Sequence, residues 1–516
     1  MNIIVCCDGT WNTPDATENG LPSPTNVVKL YNALAAADAK GTEQKFYYHP
    51  GVGTDGTWVK RFLGGSTGKG LDQNIMSGYN WLARTYREGD RIWLFGFSRG
   101  AYTVRSLGGM ISKCGLLDLP GSKLTDNQAW TAIEDVFDAY RADEPSPIKA
   151  GKNRKFHHSA AGQSPAGKTK VHFIGVWDTV GSLGIPDDMA LLNLLDDPDD
   201  HRFHDTKLGP AVQNARHAVA LDEFRQSFLP TIWEKPAGWT GTLKQVWFPG
   251  VHGDVGGGYS QSGLSDGALY WMMQEAEMLG LSFNAGAVNQ MRPDARGLLH
   301  DSVKGVFKAL KTRPRATPKV SATPSEEVHA SAQDRHANPP LAQGRYRPLK
   351  ETLPLTVDIF ARDHWNDTGV YLQAGKSYRF VAEGEWMDAS IKCGPGGTSD
   401  GKFNPAEIAQ IASSIWGGME TLWKNVTGNR QVDFWWTKRE EDLDWFCLVG
   451  LVANDVPAPK KDEKQEIERL PHQVFKIGDK TTFKPQKSGY LYCFANDAWH
   501  AYENNRGSVR LTVSEA

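Results

Sequence analysis

The chain has 516 residues, of which 40% are hydrophobic and 23% are charged, and its formal net charge is −3 at pH 7. This length exceeds what one ordinary hydrophobic core accommodates, so we expect a globular protein of two domains. The small net charge gives no reason to expect nucleic-acid binding, and no apolar run reaches the roughly 18 residues that predict a membrane span. Residues 1–8 lack the basic and long apolar stretches of a Sec signal peptide, so we expect synthesis in the cytoplasm.

Strand-like and helix-like segments alternate in the first part of the chain. This alternation predicts an α/β fold with a mostly parallel sheet and helices on both faces. The predicted strands are residues 3–7, 44–49, 92–95, 170–177 and 244–248. The predicted helices are residues 25–34, 74–86, 101–107, 211–224 and 266–278.

The composition changes after residue 313, where Pro, Ala, Ser and charged residues become frequent. We therefore predict a first domain over residues 1–315, a linker over 316–346 and a second domain over 347–516. Short alternating strands joined by Gly, Asn, Asp and Pro turns predict a β-sandwich in the second domain, interrupted by a helical stretch at 406–426.

Ser98 lies in the sequence GFSRG at residues 96–100, between a predicted strand and a predicted helix. In that context G-x-S-x-G is typical of a nucleophile elbow, a strained turn that exposes the serine hydroxyl above the sheet. The two glycines leave room for the helix to pack close to the strand, and the hydroxyl lies at the positive end of that helix. The pattern predicts that Ser98 is a catalytic nucleophile.

A serine nucleophile needs a base to take its proton and an acid to orient the base, in the chain order Ser, Asp or Glu, His in α/β-hydrolases. Asp178 follows one predicted strand directly, and His252 follows another and precedes a glycine-rich turn. Because the ends of parallel strands meet at one edge of the sheet, we predict a triad of Ser98, Asp178 and His252.

Other side chains are alternatives for these roles. His204 and His217 are the alternative bases, and Asp222 and Glu223 are the alternative acids. His217, Asp222 and Glu223 fall in the predicted helix 211–224, from which they would reach the edge of the sheet poorly.

An oxyanion needs backbone donors, and the N–H group of Arg99, directly after the nucleophile, is the first candidate. The second is the N–H of Gly9 or Thr10, in the loop after the first strand. Asp8 and Asp254 are candidates for residues near the substrate. Asp8 alternatively binds a neighbouring loop, and Asp254 alternatively organises the turn of three glycines that follows it.

Several motifs of the first domain occur in the order seen in a known family. They are DGTWN at 8–12, YYHPGVGT at 47–54, FGFSRGAY at 95–102, VWDTVG at 176–181, HAVALDEFR at 217–225 and FPGVHGDVGGGY at 248–259. Over residues 1–315 the chain resembles the Tle1-like α/β-hydrolases, a family that contains phospholipase effectors of type VI secretion systems. The resemblance implies a phospholipase A-type serine esterase that needs no cofactor and carries its triad on Ser98, Asp178 and His252. It also implies a lipid substrate at a membrane surface, export by a type VI secretion system, and a secretion-system component or immunity protein as partner.

The sequence NDAWHAYENNRGS at 496–508 resembles the calcium loop of LecA-like galactophilic lectins. The resemblance implies a calcium ion held by Asp497, the Ala501 carbonyl group, Asn504 and Asn505, with sugar hydroxyl groups bound to the ion. Hard oxygen ligands of this kind suit calcium. The alternative is a lectin-like sandwich in which the same loop is only a turn.

We therefore expect a serine hydrolase that cleaves carboxylic esters, first of all those of phospholipids. Two alternatives remain: a glycan-binding protein in which the hydrolase domain is secondary, and an enzyme that deacylates polysaccharide. Residues 117–168 are a candidate lid, and the apolar residues 189–195 are a candidate contact for acyl chains or a membrane.

Overall fold

The structure is a computed structural model of the chain. It describes residues 1–9, 13–51, 67–142, 154–180, 207–304, 311–321, 323–343, 346, 352–388, 390–398, 439–455, 472–499 and 501–516. These residues form two compact units, the first made of Met1–Arg313 and Ser321–Tyr346 and the second of Pro314–Val320 and Arg347–Ala516. Within the described ranges, no helix combines the length and the apolar composition that crossing a membrane requires.

The first unit is built on a parallel sheet. Its strands are β1 (Asn2–Cys7), β4 (Gln44–His49), β5 (Arg91–Phe97), β6 (Val171–Trp177), β7 (Asn214–Ala220) and β8 (Thr242–Phe248), and a small hairpin is formed by β2 (Thr17–Glu18) and β3 (Leu21–Pro22). The six long strands lie in the order β4-β1-β5-β6-β7-β8, and every neighbouring pair is parallel.

Helices cover both faces of this sheet. They are α1 (Asn26–Ala33), α2 (Thr67–Thr85), α3 (Arg99–Cys114), α4 (Leu119–Ser122), α5 (Asp126–Arg141), α6 (His252–Gly256), α7 (Gly263–Glu277), α8 (Ala285–Val288) and α9 (Ala330–Ala337). Successive side chains of β1 point to opposite faces, so Ile3 joins a core with α2, α3 and α5, and Ile4 joins a core with α1 and α7. Burial on both faces explains why this strand is apolar throughout, and the predicted α/β fold is confirmed.

The predicted helix 211–224 is wrong, because Asn214–Ala220 is the strand β7. Its alanine-rich composition favours a helix when the segment is considered alone. In the fold all seven residues are buried, and the strand pairs with β6 on one side and β8 on the other. Pairing on both sides outweighs the local preference.

Helix α5, in the described part of the candidate lid 117–168, packs against the core, whereas residues 158–168 are mostly exposed. Helix α5 begins at a capping box formed by Thr125 and Gln128, and it buries Ile133 and Val136 completely. Residues 189–195 and 406–426 lie outside the described residues.

The segment for which we expect a linker contains helix α9, and residues 321–346 group with the first unit. Its backbone contacts the edge strand β8: the Trp247 N–H donates to the Glu327 carbonyl oxygen, and the His329 N–H donates to the Trp247 carbonyl oxygen.

The second unit consists of antiparallel sheets. Its strands are β9 (Leu355–Phe360), β10 (Asn366–Leu372), β11 (Tyr378–Glu383), β12 (Trp386–Asp388), β13 (Ile391–Cys393), β14 (Leu448–Ala453), β15 (Gln473–Lys476), β16 (Lys480–Phe483), β17 (Gly489–Ala495) and β18 (Asn505–Glu515). One sheet has the order β10-β17-β14-β15, and the other has the order β13-β12-β18-β11-β16 with β9 also paired to β18. Both contribute to one apolar core, which includes Phe380, Leu448 and Leu511. The predicted β-sandwich is confirmed.

Candidate active site

Ser98 occupies a strained turn between β5 and α3. Its φ of 56° and ψ of −121° lie where residues other than glycine rarely occur. A Cβ atom on Gly96 would lie 2.6 Å from the carbonyl carbon of Gly100, and one on Gly100 would lie 2.6 Å from the Asp8 carbonyl oxygen. Glycine is therefore required at both positions for α3 to start so close to β1 and β5. The turn has the geometry of a nucleophile elbow.

Ser98 and Asp178 lie side by side at the carboxyl edge of the sheet. In the parallel pair β5–β6, Phe97 stands opposite Trp177, so each strand ends one residue before a predicted site residue. The Ser98 N–H donates to the Trp177 carbonyl oxygen at 3.1 Å, which ties the two turns together. Asp178 has a φ of 36°, so the second turn is strained as well.

The Asp178 carboxylate joins the backbone of β7 to the imidazole of His252. Asp178 is fully buried; its Oδ1 accepts the Ala220 N–H at 2.9 Å, and its Oδ2 lies 2.6 Å from Nδ1 of His252. Because a carboxylate only accepts hydrogen bonds, Nδ1 carries the hydrogen and Nε2 is left as the basic nitrogen. An imidazole in this tautomer can take a proton from a serine hydroxyl.

His252 is the first residue of α6 and is enclosed by two phenyl rings. Its ring centroid lies 4.6 Å from that of Phe97 and 4.9 Å from that of Phe228. Burial lowers the pKa of His252 below its ordinary value, although the hydrogen bond that the imidazole donates to Asp178 acts in the opposite direction. The imidazole is therefore neutral near pH 7, the form that accepts a proton. Since Phe97 precedes Ser98, the structure brings Ser98, Asp178 and His252 to one edge of the sheet.

The predicted oxyanion donors lie at the same edge. Arg99 is the first residue of α3, and an N–H at that position has no acceptor within its own helix. The Gly9 N–H donates to Oδ1 of Asp8 at 2.7 Å, so this donor is engaged by the carboxylate of its own neighbour. Thr10 lies outside the described residues.

Asp8 connects the first loop to two other elements. Its Oδ2 accepts hydrogen bonds from the Thr25 hydroxyl at 2.6 Å and from the Tyr48 hydroxyl at 2.9 Å. Burial raises the pKa of Asp8 to about 6. Of the two roles considered for Asp8, the contact with neighbouring elements is the one observed.

Asp254 holds the beginning of α6. Its Oδ2 accepts the N–H groups of Val251 at 3.1 Å and His300 at 3.0 Å, and its Oδ1 lies 2.6 Å from Nδ1 of His300. The ring of His300 in turn stacks on Tyr259 with centroids 3.8 Å apart. Asp254 thus stabilises the turn that carries His252, through partners other than the three glycines that it was expected to organise.

The alternative base His217 lies on β7, not on a helix. Its ring is fully buried, and its Nε2 accepts the Thr179 N–H at 3.1 Å. His217 therefore supports the loop that follows Asp178. His204, the other alternative base, lies outside the described residues.

The alternative acids Asp222 and Glu223 follow β7 and are not helical. Asp222 accepts the Gly250 N–H at 2.7 Å through Oδ2, and Glu223 accepts the backbone N–H of His252 at 3.2 Å through Oε2. A helix over 211–224 would not place these acids beside His252, so the predicted helix did not lead to these contacts. The signal that could have shown them is an acid shortly after a buried strand, close to the pattern that identified Asp178.

The second unit brings together the predicted calcium ligands. Asp497 Oδ2 accepts a hydrogen bond from the Asn505 amide at 2.9 Å, and the Asn504 amide donates to Asp388 at 2.9 Å. The Ala501 carbonyl oxygen accepts the Asn504 N–H at 3.3 Å. The Oδ1 atoms of Asn504 and Asn505 are buried without a hydrogen-bond partner among the described residues. No group of three or more His, Cys, Asp or Glu side chains in those residues could hold a metal ion, so a cation here would depend on amide and carbonyl oxygens.

Comparison with solved structures gives weak similarities. An uncharacterized protein from Pseudomonas aeruginosa is 18% identical, with a TM-score of 0.30 over 57% of this chain and 49% of that one. The EclA N-terminal domain, a PllA-like lectin, is 15% identical, with a TM-score of 0.19 over 32% of this chain and 100% of that one.

Comparison of sequences gives a firmer result. The uncharacterized protein YEL023C of Saccharomyces cerevisiae is 33% identical over 244 residues, which are 44% of this chain and 32% of the relative. The chain thus spans about a third of the length of that curated relative. Residues 1–275, more than half of the chain, match the family of the catalytic domain of Tle1-like phospholipase effectors of the type VI secretion system (T6SS). With a strained serine elbow and a buried Asp–His pair inside the matched region, the chain belongs to the Tle1-like family of T6SS phospholipase effector catalytic domains.

Proposed function

We propose that the first unit is a serine esterase of the phospholipase A type, which hydrolyses an acyl ester of a phospholipid through an acyl-enzyme. The observation that carries this proposal is the 2.6 Å hydrogen bond between Asp178 and His252, at the same edge of the sheet as the strained Ser98. The family of the chain supports a lipolytic hydrolase.

The reaction follows from the roles of these groups. Ser98 Oγ attacks the ester carbonyl carbon while His252 Nε2 takes the hydroxyl proton, and Asp178 stabilises the imidazolium that forms. The carbonyl oxygen becomes an oxyanion, which the Arg99 N–H and a second donor from the loop after β1 stabilise. The lysophospholipid alcohol leaves with the proton from His252, and water then cleaves the acyl-enzyme with His252 as base, releasing a fatty acid and free Ser98.

Covalent labelling tests the nucleophile. We expect a fluorophosphonate to form one adduct, on Ser98, and Ser98→Ala to abolish both labelling and ester turnover. Ser112→Ala is a matched control, because Ser112 is buried in the same helix about 21 Å further along. Labelling at another residue, or turnover retained by Ser98→Ala, would contradict the mechanism.

A substrate panel tests the ester class. Phospholipid vesicles, short p-nitrophenyl esters and acetylated glycans should be compared with the full chain, and we expect the largest kcat/KM for phospholipid. Preference for the acetylated glycan would favour the alternative of polysaccharide deacylation.

The family also supports delivery by a T6SS, and we propose an immunity protein as partner. Loss of toxicity towards a competing cell in a secretion-deficient strain would test delivery.

We propose as a second function that the second unit binds calcium and, through it, a glycan. The supporting observation is the pair of buried, unpartnered amide oxygens of Asn504 and Asn505 beside the carboxylate of Asp497. Burial and the neighbouring Asp388 carboxylate raise the pKa of Asp497 to about 7. A divalent cation would stabilise the ionised carboxylate and so lower that pKa. Asp497, the Ala501 carbonyl group, Asn504 and Asn505 would hold the ion, and the ion would supply the coordination positions for sugar hydroxyl groups.

Thermal unfolding and affinity retention test this site together. We expect calcium to raise the unfolding temperature and to be required for retention on a galactose matrix, and Asp497→Asn to abolish both effects. If EDTA changes neither the unfolding temperature nor retention, the loop is only a turn.

A further inference from the structure

We infer that Glu223 and Arg225, which the proposed mechanism does not use, are positioning residues that hold His252 in place and balance the charge around it. This inference rests on the proposed function, since it requires His252 to be the base. It assigns a role to the charged end of the segment 217–225, whose beginning supports the loop after Asp178 through His217.

Glu223 directly binds the main chain of His252. The carboxylate is nearly fully buried, and its Oε2 accepts the His252 N–H at 3.2 Å and Nη2 of Arg225 at 2.8 Å. Its Oε1 accepts the Ser302 hydroxyl at 2.8 Å and the Arg225 N–H at 2.9 Å. These contacts anchor the first residue of α6, so the base cannot shift along the edge of the sheet without breaking a buried ionic hydrogen bond.

Arg225 reaches the imidazole ring through Phe228. The guanidinium carbon lies 3.6 Å from the centroid of the Phe228 ring, and that ring meets His252 edge-on at 4.9 Å. The centroid of the Phe97 ring lies 4.6 Å from that of the imidazole. The same carboxylate therefore fixes the backbone of His252 directly and one wall of its ring through Arg225.

The pair also shapes the charge around the base. Among the described residues, the charged groups that act on the imidazole are Asp178, Arg225 and Glu223. The two carboxylates favour its protonated form, and the guanidinium disfavours it. Asp254, on the same helix, is paired with His300. Because Glu223 and Arg225 act on the imidazole in opposite directions, removing one leaves the effect of the other on His252 uncompensated.

The test compares the pH dependence of kcat/KM for a short p-nitrophenyl ester. In Glu223→Gln we expect kcat to fall by about 10- to 100-fold with KM nearly unchanged, since the base is misplaced and substrate binding is not. The acid limb of kcat/KM should move to lower pH by about 0.5 to 1, because the unbalanced Arg225 cation disfavours the imidazolium. Arg225→Met should move the limb to higher pH, and the double variant should return it towards that of the wild type while kcat stays low.

Glu275→Gln is the matched control. Glu275 is also buried and binds Arg216 at 2.6 Å and Lys244 at 2.7 Å, but it lies on α7. This variant should lose thermal stability without moving the acid limb. If Glu223→Gln and Glu275→Gln have the same acid limb, Glu223 is merely structural and the inference fails.

Two further measurements separate the remaining outcomes. Arg225→Lys keeps the positive charge but not the two-point contact with Glu223, so kcat should fall while the acid limb of kcat/KM stays at the same pH. This variant replaces Glu223→Gln if that protein does not fold. An unchanged kcat would overturn the positioning role. Ser98→Ala separates a failure of the proposed function from a failure of the positioning inference. If it retains turnover, the proposed function fails. If it is inactive while Glu223→Gln leaves the limb unmoved, only the positioning inference fails.

Discussion

The substitution Asp178→Asn removes one negative charge and replaces one oxygen, a hydrogen-bond acceptor, with an NH2 group, a donor. The partners of the two oxygens determine which hydrogen bond is lost. One carboxylate oxygen accepts the Ala220 N–H at 2.9 Å, and the other accepts a hydrogen bond from Nδ1 of His252 at 2.6 Å. An asparagine offers one acceptor and one donor. If its oxygen faces Ala220, its amide hydrogens face His252, and the imidazole must move its hydrogen from Nδ1 to Nε2 to accept them. Nε2 then cannot take the proton of Ser98.

The other amide orientation does not help, because it places the NH2 group against the Ala220 N–H, with two donors facing each other. In addition, no negative charge remains to stabilise the imidazolium in the transition state. We expect kcat to fall by about 1,000- to 10,000-fold, which corresponds to roughly 4 to 5.5 kcal/mol of transition-state stabilisation. KM should change little, since Asp178 is fully buried and does not face the solvent.

The assay is hydrolysis of a short p-nitrophenyl ester near pH 8, together with the rate of fluorophosphonate labelling of Ser98, and both rates should fall in parallel. Asp266→Asn is the control, because Asp266 is also a buried aspartate, bound to Lys29 at 2.7 Å and to the Arg292 N–H at 2.9 Å. It should cost stability without a comparable loss of rate. A kcat within tenfold of the wild type in Asp178→Asn would refute the tautomer argument.

Three further outcomes follow from the structure. Gly100→Ala should destabilise the first unit by several kcal/mol, because the added Cβ would overlap the backbone of Asp8. Gly267→Ala in α7 has open space around the added Cβ, so it should be neutral or stabilising by about 1 kcal/mol. Thermal unfolding of the two variants checks this difference. The acid limb of kcat/KM should lie below the ordinary pKa of histidine, since burial lowers the pKa of His252 and its neutral form is the active one; a limb above that value in a pH profile would contradict this. Without calcium, the free energy of unfolding should decrease as pH rises from about 4 to about 7, because the folded state holds a proton on Asp497 that the unfolded chain has lost. Asp497→Asn should flatten this dependence when unfolding temperatures are measured over a series of pH values.

The positions of Ser98 and Asp178 at strand ends, and of His252 shortly after β8, could be predicted from the sequence because the signals are local. A buried strand is a short apolar run, and a polar residue directly after it lies at the edge of the sheet. The glycines at 96 and 100 carried additional information, because the close approach of α3 to β1 and β5 leaves no space for a side chain there.

The segment 211–224 shows where local signals were insufficient. Its alanines are compatible with a helix, and the polar pair Arg216 and His217 before Val219 obscures the apolar run expected of a buried strand. One of them, Arg216, is buried because Glu275 lies 2.6 Å away, a partner on α7 that no local pattern indicates. The correct strand places Asp222 and Glu223 near His252.

By itself, the sequence determined the fold class of both units and which three side chains to look for, since strand periodicity, glycine turns and strand-end polar residues are properties of neighbouring residues. Only the tertiary structure decided how the polar groups pair. The bond from Asp178 to His252 spans 74 residues, and the bond from Glu223 to the His252 N–H spans 29. Asp8 and Asp254, the candidates for residues near the substrate, bind Thr25 and His300, which are distant in sequence. A buried carboxylate must find donors wherever the fold places them, and that choice depends on three-dimensional packing rather than on spacing along the chain.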